Sequence, residues 1–260
     1  MARLPPSEIA DRDARRLALV LQELGGEGAP IDSGWMACDL PGSWAVYAAG
    51  LGLEGKVEDT ALDALVAFYR ERERPPRILV TPYQHPSLLK GLAARGFTPY
   101  GLETALVRGL TNLPPLEPIP HLEFRRIDPS SDDDVAAFRD SQTAGFFEDK
   151  DPPTGMLPIT ERVARSPRAS LWLLELEGRV VGSGGLEHYE NSAVLFGGCI
   201  EPGSRRRGLH SAFTLFRLQQ AELAGLHYVT VASIAGGPTE RNALRAGFGV
   251  AYTQIEFQQV

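Results

Sequence analysis

The sequence predicts an α/β chain with a mixed β-sheet, built as two related halves. Three observations support this prediction. Segments with apolar residues at helical spacing alternate with short apolar segments bounded by glycine and proline. A proline-rich segment divides the chain near its middle. The order of elements at the end of the second half also occurs in the first half, at a constant shift of 151 residues.

The composition is that of a globular chain and excludes several classes of protein. Of 260 residues, 43% are hydrophobic and 23% are charged, as in ordinary soluble domains. No segment approaches the roughly 20 apolar residues that cross a bilayer. The charged amino-terminal segment also lacks the apolar core of a secretory signal. We therefore expect a cytoplasmic protein that does not bind membranes.

The charge distribution argues against a nucleic-acid partner. The net charge is -7, with 12 basic and 15 acidic residues before His121 and 14 basic and 18 acidic residues from there on. Neither half has the basic excess of a nucleic-acid binder. The two cysteines, Cys38 and Cys199, lie far apart in apolar segments that are typical of strands. They predict buried thiols rather than a disulfide or a nucleophile.

The division of the chain follows from its prolines. Residues 110–121 carry four prolines in twelve positions and have no periodic apolar pattern, which is typical of a stiff, extended linker. We expect one domain over residues 1–113, a linker over 114–120 and a second domain over 121–260.

The second half is predicted to contain a strand, two helices, three strands, and then helix, strand, helix and strand. The predicted strands are 123–127, 170–175, 179–188, 192–200, 227–233 and 252–257, and the predicted helices are 131–143, 157–166, 209–224 and 239–246. A short turn before Ser192 makes the third and fourth strands an antiparallel hairpin.

The first half repeats the end of this pattern. Its predicted elements are strand 44–49, helix 58–72, strand 77–81, helix 87–94 and strand 102–107. The shift of 151 residues places Gly96-Phe97 on Gly247-Phe248 without a gap. We interpret this as an internal duplication, with some early strands absent from the first copy.

A basic turn between a strand and a helix is the strongest chemical signal. The strand ending at Cys199 and Ile200 leads into a turn formed by Arg205, Arg206, Arg207, Gly208, Leu209 and His210, where the helix begins. Free N–H groups at a helix start, beside three guanidinium groups, favour an anion such as a diphosphate. A solvated charge run is the alternative. However, basic residues at a helix start oppose the macrodipole unless a ligand supplies negative charge.

These residues resemble a known family. The Arg205-x-x-Gly208 pattern after the strand end Ile200-Glu201-Pro202 resembles the acyl-CoA motif of the GNAT superfamily of N-acetyltransferases. Gly247-Phe248, after helix 239–246, is similar to the start of that superfamily's last hairpin. The resemblance covers residues 121–260. It implies the GNAT fold, acetyl-CoA as co-substrate, no metal, and an amine acceptor.

The resemblance also implies roles for individual residues. The fourth strand would separate from the fifth, and the pantetheine arm would lie in the gap. Backbone groups of Cys199 and Ile200 would hold the arm, and Thr239 and Asn242 would flank the gap. The pyrophosphate would be held by Arg205, Arg206, Arg207, Gly208, Leu209 and His210.

The sequence departs from the family pattern at three positions. His210 stands where a small residue is usual, Ala243 where many members have a tyrosine acid, and Val194 where some have a carboxylate base. If the hairpin pairs Glu187 with Ser192, alternation places Glu187 on the face of Val194. Glu187 is then the candidate general base. The alternative is an exposed glutamate at a strand end.

Three further features have open interpretations. The loop 145–156, with Glu148, Asp149 and Asp151, lies where the family admits the acceptor, and its acids suit a cationic amine. A solvated loop explains the same residues. His188 is predicted to face the other side of the sheet, as a surface or packing residue, and Tyr252 is predicted to pack.

The first half is predicted to lack a CoA site. Glu54 and Val57 occupy the positions of Arg205 and Gly208, and Glu58-Asp59 begin the next helix, where carboxylates repel a diphosphate. The predicted activity, assigned to residues 121–260, is direct transfer of acetyl from acetyl-CoA to a primary amine in a ternary complex. The acceptor would be a small molecule or a peptide, and the enzyme a monomer or homodimer. The alternative is a catalytically decayed acyl-CoA-binding sensor or regulatory module.

Overall fold

The protein is described by a computed structural model that covers residues 5–148 and 150–260. The chain forms two compact units. Unit 1 comprises Met1–Ala105, Ala232–Glu240 and Val250–Val260. Unit 2 comprises Leu106–Val231 and Arg241–Gly249. The last strand of the chain therefore contributes mainly to the first unit.

The described residues contain seven α-helices and eleven strands. The helices are α1 (Pro6–Leu24), α2 (Asp59–Arg70), α3 (Ser87–Ala94), α4 (Asp132–Phe146), α5 (Met156–Ala164), α6 (Leu209–Leu223) and α7 (Pro238–Arg245). The strands are β1 (Glu27–Ile31), β2 (Gly34–Cys38), β3 (Ala48–Ala49), β4 (Arg77–Val80), β5 (Phe97–Gly109), β6 (Leu122–Arg126), β7 (Ala169–Leu176), β8 (Arg179–Tyr189), β9 (Ser192–Ile200), β10 (Tyr228–Ile234) and β11 (Gly249–Gln259).

The sheet of unit 1 is completed by the C-terminal strand. Its strand order is β1-β2-β3-β4-β11-β5. Strand β11 pairs antiparallel with β4, with Ile255 opposite Val80, whereas β3 pairs parallel with β4 through Ala48 and Ile78. The apolar face of α2, including Leu65 and Tyr69, is buried in the core of this unit.

The sheet of unit 2 has the order β10-β9-β8-β7-β6, with β9 and β10 parallel and the other pairs antiparallel. Successive residues of β7 enter different cores. Leu171 lies in the cluster of Phe138 from α4, and Trp172 lies in the cluster of Phe213 from α6. Because successive side chains of a strand point to opposite faces, α4 and α6 cover opposite faces of this sheet.

Most predicted elements agree with the structure, and the differences have local causes. The prediction of a strand over 44–49 is wrong except at Ala48–Ala49. The N–H of Ser43 donates to the Leu40 carbonyl and that of Val46 to the Trp44 carbonyl, so the backbone turns instead of extending. Elements α1, β1 and β2 were not predicted. Strand β5 extends over Phe97–Gly109, beyond the predicted 102–107.

The hairpin of β8 and β9 has a different register from the predicted one. The pairing of Glu187 with Ser192 is wrong, because Tyr189 is opposite Ser192 and Glu187 is opposite Val194. The turn therefore contains only two residues, a common hairpin length. Cross-strand partners share a face, so Glu187 still lies on the face of Val194, as the sequence predicts.

The proline-rich segment lies within unit 2. The boundary between the units falls between Ala105 and Leu106, inside β5. Leu113 and Ile119 pack against the core that contains Phe213, and the Pro114 carbonyl accepts a hydrogen bond from the Gln219 side chain. The assignment of 1–113 and 121–260 as domains joined by a linker at 114–120 stays a prediction.

Candidate functional site

Strand β9 is paired with β10 over only part of its length. The parallel register joins Ser192 with Tyr228, Ala193 with Val229 and Val194 with Thr230. Strand β9 continues to Ile200, so residues 195–200 lie beyond the register pairs described for β10. This separation begins at Val194 and leaves a backbone edge that includes Cys199 and Ile200.

A β-bulge interrupts β9 in the part that pairs with β8 but not with β10. Opposite β8, Ser183 pairs with Cys199 and Gly185 pairs with Phe196, so Gly184 faces two residues, Gly197 and Gly198. An extra residue of this kind bends the strand and redirects its backbone groups. Gly197 has a φ of 58°, which glycine adopts without the strain that a side chain would cause. We call this feature the Gly197/Gly198 bulge.

The turn before α6 presents backbone donors that have no acceptor among the described residues. Arg206 and Gly208 are left-handed, with φ of 63° and 78°. Gly208 is the N-cap of α6 and supplies no side-chain cap. Within the described chain, the backbone N–H groups of residues 206–211 have no hydrogen-bond acceptor. Unsatisfied N–H groups at a helix start form an anion-binding site.

The three arginines of this turn have different environments. Arg206 and Arg207 are exposed, and neither has an ion-pair partner among the described residues. Arg205 donates from Nε to the Ile200 carbonyl at 3.0 Å and from Nη2 to the Gly145 carbonyl at 2.8 Å. Its Nη1 donates to Glu148 at 2.7 Å. Arg205 therefore joins the end of α4 to the end of β9, and Glu148 compensates its charge.

His210, in the first turn of α6, is half-buried. Its Nδ1 is shielded from solvent and has no hydrogen-bond partner in the described part of the chain. Burial, with a further contribution from the positive charge of Arg217, lowers the pKa of His210 to about 4. The imidazole is therefore neutral at pH 7 and adds no charge to the turn.

Cys199 packs against the C-terminal part of α4. A side chain at Gly145 would place its Cβ 2.5 Å from the Cys199 sulfur, so glycine permits this approach. Burial raises the pKa of the Cys199 thiol, which outweighs the hydrogen bonds to Ser183 and Ser141. Both cysteines are free; Cys199 is buried as predicted, whereas Cys38 is half-buried.

Glu187 lies opposite the residue at which β9 leaves β10. Its cross-strand partner Val194 is the last β9 residue in register with β10. Gly185, two residues earlier on the same face, borders Leu171 and Phe196 in the core beneath α4. Glu187 is half-buried. It therefore lies on the α4 face of the sheet, at the base of the gap.

His188 and Tyr252 have packing environments. His188 Nε2 lies 3.0 Å from the Ser170 hydroxyl, and burial, followed by the charge of Arg126, lowers the His188 pKa. Within unit 1, the Tyr252 hydroxyl donates to Asp13 at 2.8 Å. Burial and then the neighbouring Asp13 charge raise the Tyr252 pKa well above its usual range.

The remaining predicted residues are less closely associated with the turn. Thr239 belongs to unit 1 and is exposed, whereas Asn242 belongs to unit 2 and accepts a hydrogen bond from Arg245. Their roles stay predictions. In the loop 145–156, Glu148 pairs with Arg205 and Asp151 is exposed, while Asp149 lies outside the described residues.

Sequence reasoning missed two side chains that contact the bulge. Gln142 of α4 donates from Nε2 to the Gly197 carbonyl at 2.6 Å and to the Ser183 hydroxyl at 2.8 Å. Arg217 of α6 donates from Nη1 to the carbonyls of Gly185 and Phe196, each at 3.2 Å. An arginine four residues after Phe213, in an otherwise apolar helical stripe, was the available signal.

The described residues include no group of three or more histidine, cysteine, aspartate or glutamate side chains arranged to hold a metal ion. Among the described helices, none has both the length and the apolar character of a membrane span.

Comparisons with known proteins identify the fold. No protein-family model matches the sequence, and no curated protein sequence matches it. A GCN5-related N-acetyltransferase from Kribbella flavida superposes with a TM-score of 0.71 at 17% identity, covering 96% of this chain and 95% of that one. Another from Sphaerobacter thermophilus gives a TM-score of 0.59 at 17% identity, covering 82% and 71%.

A third structure matches the two-part organisation. It is a tandem GNAT protein from the clavulanic acid biosynthesis pathway, with a TM-score of 0.58 at 16% identity, covering 76% of this chain and 68% of that one. Unit 2 contains the parallel strands β9 and β10, and the turn before α6 follows β9, as the resemblance implies. The chain has the fold of the GCN5-related N-acetyltransferases, in two related halves.

Proposed function

We propose that unit 2 binds acetyl-CoA and transfers its acetyl group to a primary amine of a small-molecule or peptide acceptor. One observation carries this proposal: the N–H groups of residues 206–211 have no acceptor among the described residues and follow the end of β9, beyond its register with β10. A run of free donors at a helix start fits a pyrophosphate. Arg206 and Arg207 in the same turn, which have no ion-pair partner among the described residues, add positive charge.

The residues present fit this ligand in three respects. The turn backbone, contributed by Arg205, Arg206, Arg207, Gly208, Leu209 and His210, would hold the pyrophosphate. Arg205 would act through its side chain by fixing the turn, because its guanidinium already bonds Ile200, Gly145 and Glu148. The backbone edge at Cys199 and Ile200 would hold the pantetheine arm, and Thr239 and Asn242 would flank it.

When bound, acetyl-CoA supplies an activated acetyl thioester. The contribution of the chain is to position this group and to remove the proton of the acceptor ammonium. Glu187, at the base of the gap, would accept that proton directly or through water. Ala243 is buried and has no proton to donate, so solvent would protonate the departing thiolate.

Titration calorimetry of acetyl-CoA into the full chain tests the proposed site. We expect one site per chain, lost in Gly208→Val, because a β-branched residue does not tolerate a φ of 78°. Gly225→Val is the matched control. Gly225, just after the same helix, has a φ of 75°, and neither glycine has a neighbour within 4 Å of an added Cβ. No binding to the wild type, or equal binding by both variants, would exclude this site.

A binding module without catalysis is the second candidate. It is supported by the apolar side chains of Ala243 and Val194, which stand where the resemblance expects an acid and a base. Wild-type protein that binds acetyl-CoA but releases no CoA with a panel of primary amines would support it. If the protein catalyses acetyl transfer, Glu187→Gln should lower kcat most at low pH. Glu190→Gln, in the adjacent turn, should leave the dependence of kcat on pH unchanged.

A further inference from the structure

We propose that Gln142 and Arg217 are positioning residues that hold the Gly197/Gly198 bulge from opposite faces of the sheet, fixing the backbone edge on which the acetyl group is oriented. The inference rests on the proposed function. It concerns residues of α4 and α6 to which the proposed function assigns no role.

On the α4 face, Gln142 fixes the first residue of the bulge. Its amide donates to the Gly197 carbonyl at 2.6 Å, and the Ser183 hydroxyl receives a second bond at 2.8 Å. An added Cβ on Gly197 would lie 3.0 Å from the Gln142 Oε1. The side chain therefore occupies the space that the glycine leaves open, and it holds the carbonyl that the irregular ladder makes available.

On the α6 face, Arg217 fixes the preceding peptide. It is 2% exposed and bridges the two strands by donating to Gly185 of β8 and Phe196 of β9. Added Cβ atoms on Gly184 and Gly198 would lie 2.9 Å and 2.7 Å from its guanidinium nitrogens. Its Cζ lies 4.3 Å from the centre of the Phe213 ring, so glycines and an aromatic ring enclose the guanidinium.

The cost of burying Arg217 supports a role beyond packing. No carboxylate in the described part of the chain pairs with it, and burial lowers its pKa to about 9. Removing a charged group from water without a counterion is unfavourable. An apolar residue would fill the same position at lower cost. The arginine is explained if its Nη1 is required to hold the carbonyls of Gly185 and Phe196 together.

The geometry connects these contacts to the reaction. The carbonyls of Phe196 and Gly197 belong to the same peptide units as the N–H groups of Gly197 and Gly198. Accepting a hydrogen bond at the carbonyl polarises a peptide and fixes its plane. Fixed backbone dipoles stabilise the charge that develops on a reacting carbonyl without reorganisation. Gln142 and Arg217 would therefore change kcat more than acetyl-CoA affinity.

The test uses Arg217→Met, Gln142→Leu and the conservative variants Arg217→Lys and Gln142→Asn in the full chain. We expect kcat to fall at least tenfold in Arg217→Met and in Gln142→Leu, while the Kd for acetyl-CoA stays within twofold of wild type. Arg217→Lys should keep part of the wild-type kcat, because lysine keeps the positive charge but not the planar geometry of the guanidinium group. The Tm of Arg217→Met should be unchanged or higher, which a purely stabilising residue would not show.

Hydrogen exchange of the peptide containing residues 196–200 gives a readout that does not depend on activity. In the ligand-free protein, Arg217→Met and Gln142→Leu should exchange this segment at least tenfold faster, without change in β6 and β7. Unchanged exchange would overturn the inference even if the wild type proved inactive. Faster exchange with unchanged kcat in an active enzyme would also overturn it. Absence of acetyl-CoA binding by the wild type would instead reject the proposed function.

Discussion

The loop after β3 in unit 1 and the loop after β9 in unit 2 correspond in sequence but use their backbone donors differently. In unit 1, the Gly52 N–H donates to Asp32 at 2.6 Å, the Leu53 N–H to Ser33 at 3.1 Å and the Val57 N–H to Ser87 at 2.9 Å. In unit 2, residues 206–211 have no acceptor in the described structure. The shift of 151 residues places Val57 on Gly208, so the N–H at this position has an acceptor in unit 1 and none among the described residues of unit 2.

The strands that precede these loops also differ in how they pair with their neighbours. The shift of 151 residues relates Ala48 to Cys199 and Ile78 to Val229. Ala48 pairs with Ile78 in unit 1, whereas Val229 pairs with Ala193 in unit 2, six residues before Cys199. The gap of unit 2 is thus closed at the corresponding place in unit 1. Unit 1 therefore differs from unit 2 in two ways: its corresponding strands are paired at this place, and the donor at its helix start has an acceptor.

The largest expected effect concerns position 210, where unit 2 has a half-buried histidine and unit 1 has the exposed Asp59. The native pKa of about 4 is below the unfolded value of 6.5. The free energy of unfolding should therefore not depend on the protonation of His210 above pH 6.5. It should decrease as the pH falls from 6.5 toward 4, by about 3 kcal/mol in total, because the unfolded chain binds the proton more tightly. Denaturant unfolding of the wild type and His210→Asn at several pH values measures it. An equal pH dependence in both proteins would contradict this assignment.

The next effect concerns the charge of the turn. Arg206→Glu with Arg207→Glu should weaken acetyl-CoA binding about 10- to 100-fold, because losing the charge of these two exposed side chains should cost about 1.4–2.8 kcal/mol in total. The double variant should keep its Tm, since both side chains are exposed. Lys56→Glu, in the corresponding loop of unit 1, is the control and should leave the affinity unchanged. Titration calorimetry measures the affinities. An equal loss of acetyl-CoA affinity in the double variant and in Lys56→Glu would show that the two loops do not differ in binding.

A smaller effect is expected for the acceptors of unit 1. Asp32→Ala leaves the Gly52 N–H without its partner and should lower the free energy of unfolding by about 1–3 kcal/mol. Acetyl-CoA affinity should not change. Asp63→Ala, which removes an exposed carboxylate that pairs with Arg95, should cost less than about 1 kcal/mol. Similar losses in the two variants would show that Asp32 does not satisfy the loop.

The smallest effect is a predicted absence of change. Glu54→Arg with Val57→Gly gives unit 1 the arginine and glycine of the motif, yet the stoichiometry of acetyl-CoA should stay at one per chain. The reason is that Ala48 and Ile78 remain paired. A second binding site in calorimetry would show that the motif alone creates a site, and that strand pairing does not prevent it.

Local sequence patterns predicted most of the elements and the location of the motif, although they missed α1, β1 and β2. Apolar periodicity and turn residues placed the strand ending at Ile200, the helix beginning at Leu209 and the duplication, because these signals are local. The fold class follows from their order and is confirmed by the structural comparisons. The face of Glu187 was also predictable, since alternation fixes it even when the register is assigned wrongly.

The pairing of hydrogen-bond donors and acceptors could not be predicted from local patterns, because the partners lie far apart in the sequence. The acceptors of the unit 1 loop come from Asp32 and Ser87, which are distant in sequence from Gly52 and Val57. The Gly197/Gly198 bulge depends on a register with β8, and the contacts of Arg217 depend on α6 packing over it. Pairing of β11 with β4 joins the end of the chain to its first half. Such contacts arise from packing between segments, which local patterns do not encode.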